Sequence, residues 1–287
     1  MIYIDHDEQP VSKLGLGTQR FVEREGFLDE QDARVIVEEC FQQGINLFET
    51  SCVYHEGKTE ELLGNILKDH SRETYAIATK FNVAFDDDIE RVFEEQLRRL
   101  QTNYIDFYMF HCLNEDTLDA YKQKRYLDFL MKEKQRRRIR YLGFSTHAKL
   151  STLQQYLNDV SLFDFVMLQL NYVDWILKDV KGQYDAVCQH HLKVWAMQPL
   201  RNSRALTIKE EYMKELLQIH PDWSLVQWGL RFISSLPAVE HIVSGMGTQD
   251  QIVENANVIV KNGLTEMEQS VLIKVSEKIV ADIRAAM

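Results

Sequence analysis

Eight short apolar runs separated by longer stretches of helical period constrain the fold of this chain more than any other feature. The runs are Lys13–Gly17, Ile45–Glu49, Tyr75–Lys80, Ile105–His111, Ile139–Ser145, Phe165–Leu170, Leu192–Met197 and His241–Gly245. Between or after them lie helical patterns such as Asp32–Gln43, Thr59–Lys68, Asp88–Leu100, Leu150–Leu157, Leu225–Ile233 and Gln249–Val260. Asp88 and Ser224 stand where N-caps are expected, and Gly44 stands just past a helix end. Several runs are continuously apolar, as parallel strands covered on both faces must be. Eight β/α units in 287 residues predict an α/β fold of the closed (β/α)8 TIM-barrel type. Ile2–Val11 is expected to form a hairpin across the barrel bottom, and Leu264–Ala286 a last outer helix.

No Pro-, Ser- or Gly-rich linker divides the sequence, so residues 1–287 read as one domain. A net charge of −11 argues against nucleic acid or an anionic membrane as partner. The basic run Arg136–Arg138 with Arg140 reads as a solvated helix end that complements the dipole. There is no apolar stretch of membrane-spanning length and no leader pattern, so a cytoplasmic location is expected. Cys40, Cys52, Cys112 and Cys188 are widely spaced and read as reduced thiols. His190 and His191 are adjacent and would diverge on a helix, so no metal site is expected.

Competing architectures fail on their motifs. The only candidate dinucleotide fingerprint, Gly15-Leu16-Gly17-Thr18-Gln19-Arg20, has arginine where the third glycine belongs. Neither a phosphate loop of the Gly-x-x-x-x-Gly-Lys-Ser/Thr kind nor a Gly-x-Ser-x-Gly elbow is present.

Polar residues close or follow the apolar runs: Glu49, with Tyr54 five residues on, then Lys80 and His111. Strand ends are where a barrel of this type assembles its site from distant parts of the chain. A phenol beside an ammonium makes a proton donor, since the cation favours phenolate and lowers the phenol pKa, while a carboxylate can hold the ammonium in place.

Along nearly its whole length the sequence resembles the aldo-keto reductase family. The matching pieces are Leu14–Thr18, Gly44–Thr50 with Tyr54, Thr59–Gly64, Ala78–Lys80, Tyr104–Asp106 leading to His111, Ile139–Ser145, Pro199-Leu200, and Gly245 through Glu254-Asn255. The resemblance implies carbonyl reduction with NADP(H), NAD(H) being the alternative. It casts Tyr54 as general acid, Lys80 as the group that tunes it, His111 as the residue orienting the carbonyl, and Glu49 in the place where the family normally has aspartate. It further implies cofactor contacts from Gly17, Thr18, Ser145, Thr146, Gln169, Met197, Pro199, Leu200, Gly245, Gly247, Gln251, Glu254 and Asn255. Thr146 stands where asparagine is usual, and Met197 where many members place an aromatic ring. A bacterial branch with similar Ser145-Thr146-His147 and Val194–Arg201 segments often carries a C-terminal iron–sulfur module, whose cysteine motif is missing here.

The activity expected is reduction of a small aldehyde or ketone, by a monomer or small homo-oligomer. The alternatives are a nicotinamide-binding regulatory protein that has lost turnover, motivated by Glu49 and Met197, and a redox-neutral lyase or epimerase. Arg201 and Arg204 follow the seventh run as solvated residues or contacts for an anionic group. Cys52 and Cys112 flank Tyr54 and His111 and are expected to be inert buried thiols, the alternative being reactive thiols close to Lys80.

Overall fold

All eight runs form parallel strands in a computed structural model of the chain, which describes residues 1–6, 9–24, 27–259 and 262–286. The strands are β1 (Leu14–Gly17), β2 (Leu47–Glu49), β3 (Ala76–Phe81), β4 (Ile105–Leu113), β5 (Ile139–Thr146), β6 (Phe165–Gln169), β7 (Lys193–Met197) and β8 (Val239–Ser244). They close into one barrel in chain order, with β8 pairing back onto β1. Each is followed by an outer helix: α1 (Glu30–Gln42), α2 (Lys58–Leu67), α3 (Ile89–Arg99), α4 (Lys124–Gln135), α5 (Leu150–Asp159), α6 (Val180–Gln189), α7 (Leu225–Ser234) and α8 (Gln249–Ile259). The expected (β/α)8 architecture is therefore the observed one.

Local chemistry sets the element ends. The Asp88 carboxylate accepts from the Arg91 amide at 3.0 Å and the Ser224 hydroxyl from the Gln227 amide at 3.3 Å, each satisfying an orphan donor of a first turn. Gly44 ends α1 at φ +77°, a conformation that a side chain resists. The last helix, Glu266–Ala285, opens with a capping box between Thr265 and Glu268. Val260, the last residue of the expected α8 pattern, lies outside the described residues. The helical pattern of α6 is weak because Gly182 interrupts it, and its N-cap Asp179 sits at φ +52°.

Period-two alternation divides the core into two layers. Leu47, Ala76, Ala78, Phe107, Met109, Phe165, Met167, Trp195 and Val243 fill the barrel interior, while residues of the opposite parity pack against the helices. A Cβ on Gly143 would sit 2.5 Å from the Phe165 ring, so that glycine makes room for an aromatic inside the barrel. The same parity carries Glu49, Lys80, His111, Ser145, Gln169 and Met197 to the interior side at the C-terminal strand ends.

At the other end, Tyr3–His6 pairs antiparallel with Gln9–Ser12 and covers the floor; Asp7 and Glu8 of the expected hairpin lie outside the described residues. Asn46 docks this hairpin, accepting from the Ser12 amide at 2.7 Å and donating to the Pro10 carbonyl at 2.9 Å. Strands β7 and β8 break register there: Val194 faces Val239 but Trp195 faces His241, leaving Glu240 as the extra residue of a bulge.

The basic run keeps its expected role only in part. Arg136 and Arg138 both pair with Glu133, which is buried, and Arg140 pairs with the buried Asp106. Arg136 and Arg137 are exposed at the helix end, as expected, while Arg138 and Arg140 are partly buried and neutralise carboxylates that the helix-to-strand packing has removed from water.

Candidate active site

The sheet brings the four expected polar residues together at the top of the barrel. Gly17 lies across from Glu49 and Glu49 across from Ala78, so the carboxylate at the end of β2 points toward Lys80, two residues further along β3. The Lys80 ammonium is in direct contact with Glu49 Oε1, donates to the Thr50 carbonyl at 2.8 Å and donates to the Tyr54 hydroxyl at 3.1 Å. Tyr54 Oη lies 3.4 Å from the same Glu49 oxygen. The His111 ring stands edge-on to Tyr54, centroids 5.9 Å apart. Glutamate thus serves at a position where aspartate is usual, because the longer side chain still reaches the ammonium.

Burial governs the ionisation of this group. Lys80 is 1% exposed, and loss of solvation pulls its ammonium down to about 7, only partly offset by the neighbouring Cys112. Tyr54 is raised, first by desolvation and then by the neighbouring thiols Cys112 and Cys52. The expected lowering of the phenol by its lysine is therefore outweighed in the protein alone, and Tyr54 is protonated at neutral pH. His111 is held well below its usual value by burial and by Lys80, so the imidazole is neutral.

A polar shell that sequence reasoning did not find supports the group. The Ser51 hydroxyl lies 3.0 Å from His111 Nδ1 and fixes the ring's orientation. Behind Lys80, Gln96 donates to the Lys80 carbonyl at 3.0 Å and to the fully buried Glu60, which also takes the Thr79 hydroxyl at 2.6 Å and the Arg99 guanidinium. The only signal for that network in the sequence is the Thr59–Gly64 segment, and its partners are 19 to 39 residues away.

Two connected cavities open above these residues. The first, about 520 Å³, is lined by Gly17, Glu49, Tyr54, Lys80, His111 and Met197 among others. The second, about 390 Å³, is lined by Pro199, Leu200, Gly245, Gly247, Gln251, Glu254 and Asn255. Arg20, Gln198, Asn202 and Gly245 border both. Arg20 was not among the expected contacts. A Cβ on Gly245 would lie 2.6 Å from its Cγ, so the glycine lets the arginine lie along the junction. Backbone strain concentrates here: His55, Cys112, Gln198 and Asn202 of the first cavity's lining all have φ between +47° and +57°.

The remaining expected contacts are placed differently. Ser145 Oγ accepts from the Cys112 amide at 3.0 Å, Thr146 Oγ1 donates to the Leu113 carbonyl, and the Gln169 amide donates to Asp174 at 2.7 Å. Thr146 and Gln169 border a separate recess of about 300 Å³. Thr18 is buried next to Gly17 and its hydroxyl has no hydrogen-bond partner among the described residues. Arg201 is partly buried and pairs at 3.1 Å with the fully buried Asp174, while Arg204 is exposed. Cys112 lines the first cavity but burial raises its thiol, outweighing Lys80, and Cys52 is pushed up to about 12. Neither is an activated thiolate.

Comparison with known proteins agrees with the barrel. A family model described as the aldo/keto reductase family matches residues 13–276. The uncharacterized oxidoreductase YqkF of Bacillus subtilis is 24% identical, the match covering 90% of each chain. Among solved structures, the holo form of aldo-keto reductase AKR11C1 from Bacillus halodurans superposes with a TM-score of 0.77 at 24% identity over 93% of each chain. An aldo-keto reductase from Klebsiella pneumoniae in complex with NADPH gives 0.76 at 20% identity, over 93% of this chain and 92% of that one.

Proposed function

The chain belongs to the aldo/keto reductase family, and from that premise we propose that it reduces a small aldehyde or ketone with NADP(H), NAD(H) being the alternative. The observation that carries this reading is the continuous set Glu49, Lys80, Tyr54 at the base of a cavity that His111 also faces. The role of each residue follows from its environment. Burial keeps Tyr54 protonated until a carbonyl oxygen needs the proton. Lys80, 3.1 Å from the phenol oxygen, stabilises the charge that appears as the proton leaves. Glu49 holds Lys80 in place. Neutral His111, oriented by Ser51, offers a ring N–H to the substrate oxygen once Nδ1 accepts from the hydroxyl.

The groove fits a dinucleotide. A Cβ on Gly17 would lie 3.3 Å from Glu49 Oε2, the Thr18 hydroxyl is buried without a partner among the described residues, and a Cβ on Gly247 would meet only the Arg20 carbonyl, at 3.9 Å. When bound, a reduced nicotinamide supplies the hydride that, with the Tyr54 proton, converts a carbonyl to an alcohol. Residues 245–255 offer no cation for a 2′-phosphate and include Asp250 and Glu254. Arg20 on the cavity junction supplies the missing positive charge, and this, with the NADPH found in the Klebsiella pneumoniae protein, favours NADP(H).

Single-turnover mixing with NADPH, and separately with NADH, against a panel of aldehydes, ketoses, α-keto acids and steroid ketones tests the reading. Stoichiometric loss of reduced-nicotinamide absorbance is expected. Fluorescence quenching without oxidation would instead mark a binding protein, product without net oxidation would mark a lyase or epimerase, and a tenfold preference for NADH would reverse the cofactor assignment.

A further inference from the structure

We propose that His6, Glu240 and His241 form a binding site for a divalent transition-metal ion of the Zn2+ type at the floor of the barrel, at the opposite end from the cavity. The site comes from the hairpin and from the bulge in β8. Adjacent residues of a regular strand face opposite ways. The register break that makes Glu240 the extra residue re-aims its side chain, so one ligand atom each from Glu240, His241 and His6 lies within 4.8 Å of the others. Nothing in linear spacing announces this, because 235 residues separate the two histidines.

The two ring nitrogens that face each other are Nε2 of His6 and Nε2 of His241, 2.9 Å apart. Two ligands about 2.05 Å from a common ion subtend about 90° at that separation, and opening the pair to about 3.3 Å gives the tetrahedral angle. A shift of about 0.4 Å thus converts the pair from a hydrogen bond into two metal ligands. His241 is already in the required tautomer: its Nδ1 lies 3.0 Å from the Ser12 carbonyl and donates to it, leaving the Nε2 lone pair directed at His6. His6 must then carry its proton on Nε2 to complete the present hydrogen bond. Ion binding requires that proton to leave Nε2, so that the His6 lone pair can reach the ion.

The surroundings suit an ion held by two imidazoles and a carboxylate. His6 and His241 are 9% and 0% exposed, and the rings of Phe107, Tyr141 and Trp195 stand 4.6 to 5.0 Å from one or other of them. Such a dry shell strengthens charge–ligand attraction. Glu240 is only half-buried and gives the ion a route in, although Lys193 competes for its carboxylate and Lys13 opposes positive charge at His241. An ion here would tie the hairpin to the barrel wall.

The test uses the full chain stripped with a chelator, then titrated with ZnCl2 by calorimetry and with CoCl2 by visible absorption. One saturable equivalent is expected, with a rise in melting temperature, and H6Q and E240Q should each weaken binding by about tenfold or more and remove that rise. His6 lies on the hairpin outside the barrel strands, so H6Q is expected to fold; circular dichroism checks this, and E240Q carries the test if H6Q does not fold. Absence of saturable binding in the wild type, or binding of equal strength in the folded variants, overturns the proposal.

Discussion

At the C-terminal ends of the strands, Glu49, Lys80, Tyr54 and His111 surround a cavity of about 520 Å³, whereas at the N-terminal ends His6 and His241 meet ring to ring among aromatic side chains. Both ends bury titratable groups, and one apolar layer of Phe107, Phe165, Met167 and Trp195 separates them. They differ in what the buried groups can reach. Those at the top are paired with one another yet open to a space that a small molecule can enter; those at the floor are enclosed by the hairpin. A barrel can thus spend its polar burial on chemistry at one end and on joining its parts at the other.

The largest expected effect breaks the pairing at the top. Glu49→Ala leaves Lys80 buried without its carboxylate, which should cost about 3–5 kcal/mol of stability as well as most turnover. Glu49→Asp keeps the charge at the family's usual length and should retain activity. Chemical denaturation together with kcat against pH reads both. If Glu49→Ala matches wild type in stability and rate, the top holds no structural ion pair and its contrast with the floor collapses.

Next in size is the removal of one oxygen. Tyr54→Phe should lower kcat by about a hundredfold, equivalent to about 2.7 kcal/mol, with cofactor affinity unchanged. Stability should barely move, since the hydroxyl's neighbours Lys80 and Glu49 still satisfy each other. Unchanged turnover would remove Tyr54 from the proposed mechanism and leave the cavity as a binding site only.

The top was legible in the sequence and the floor was not, for a physical reason. Glu49 and Tyr54 belong to one local segment, and Lys80 and His111 each end an apolar run, so strand periodicity alone carries them to the same rim. The eight strands were legible for the same reason: parallel strands buried on both faces must be apolar throughout. What escaped depended on tertiary partners. Ser51 is an ordinary small residue until His111 is folded against it, and Arg20 looked like a failed glycine fingerprint until Gly245 let it approach the groove. The direction of the Tyr54 shift escaped too, because a lysine's charge is visible in a sequence and desolvation is not. At the floor, the bulge that turns Glu240 has no signature in a single chain.

The smallest expected effect compares the two ends directly through acid. Burial holds His241 at about 3 and His111 well below its usual value, so both are neutral in the folded protein at mild acidity, while in the unfolded chain each binds a proton below about 6.5. The unfolded state therefore gains protons that the folded state does not, and stability falls as pH drops through 6.5 toward the folded values. Each histidine should contribute about 1.4 kcal/mol of loss between pH 7.5 and 5.5. Denaturant unfolding at those two pH values, with chelator present so that the floor histidines are read without metal, measures the loss. His111→Asn should shrink it by one share at the top and His241→Asn by an equal share at the floor, whatever each substitution does to absolute stability. A difference between the two pH values that neither variant changes would mean that the histidines are solvated enough to titrate in the native state, and the burial invoked at both ends would be wrong.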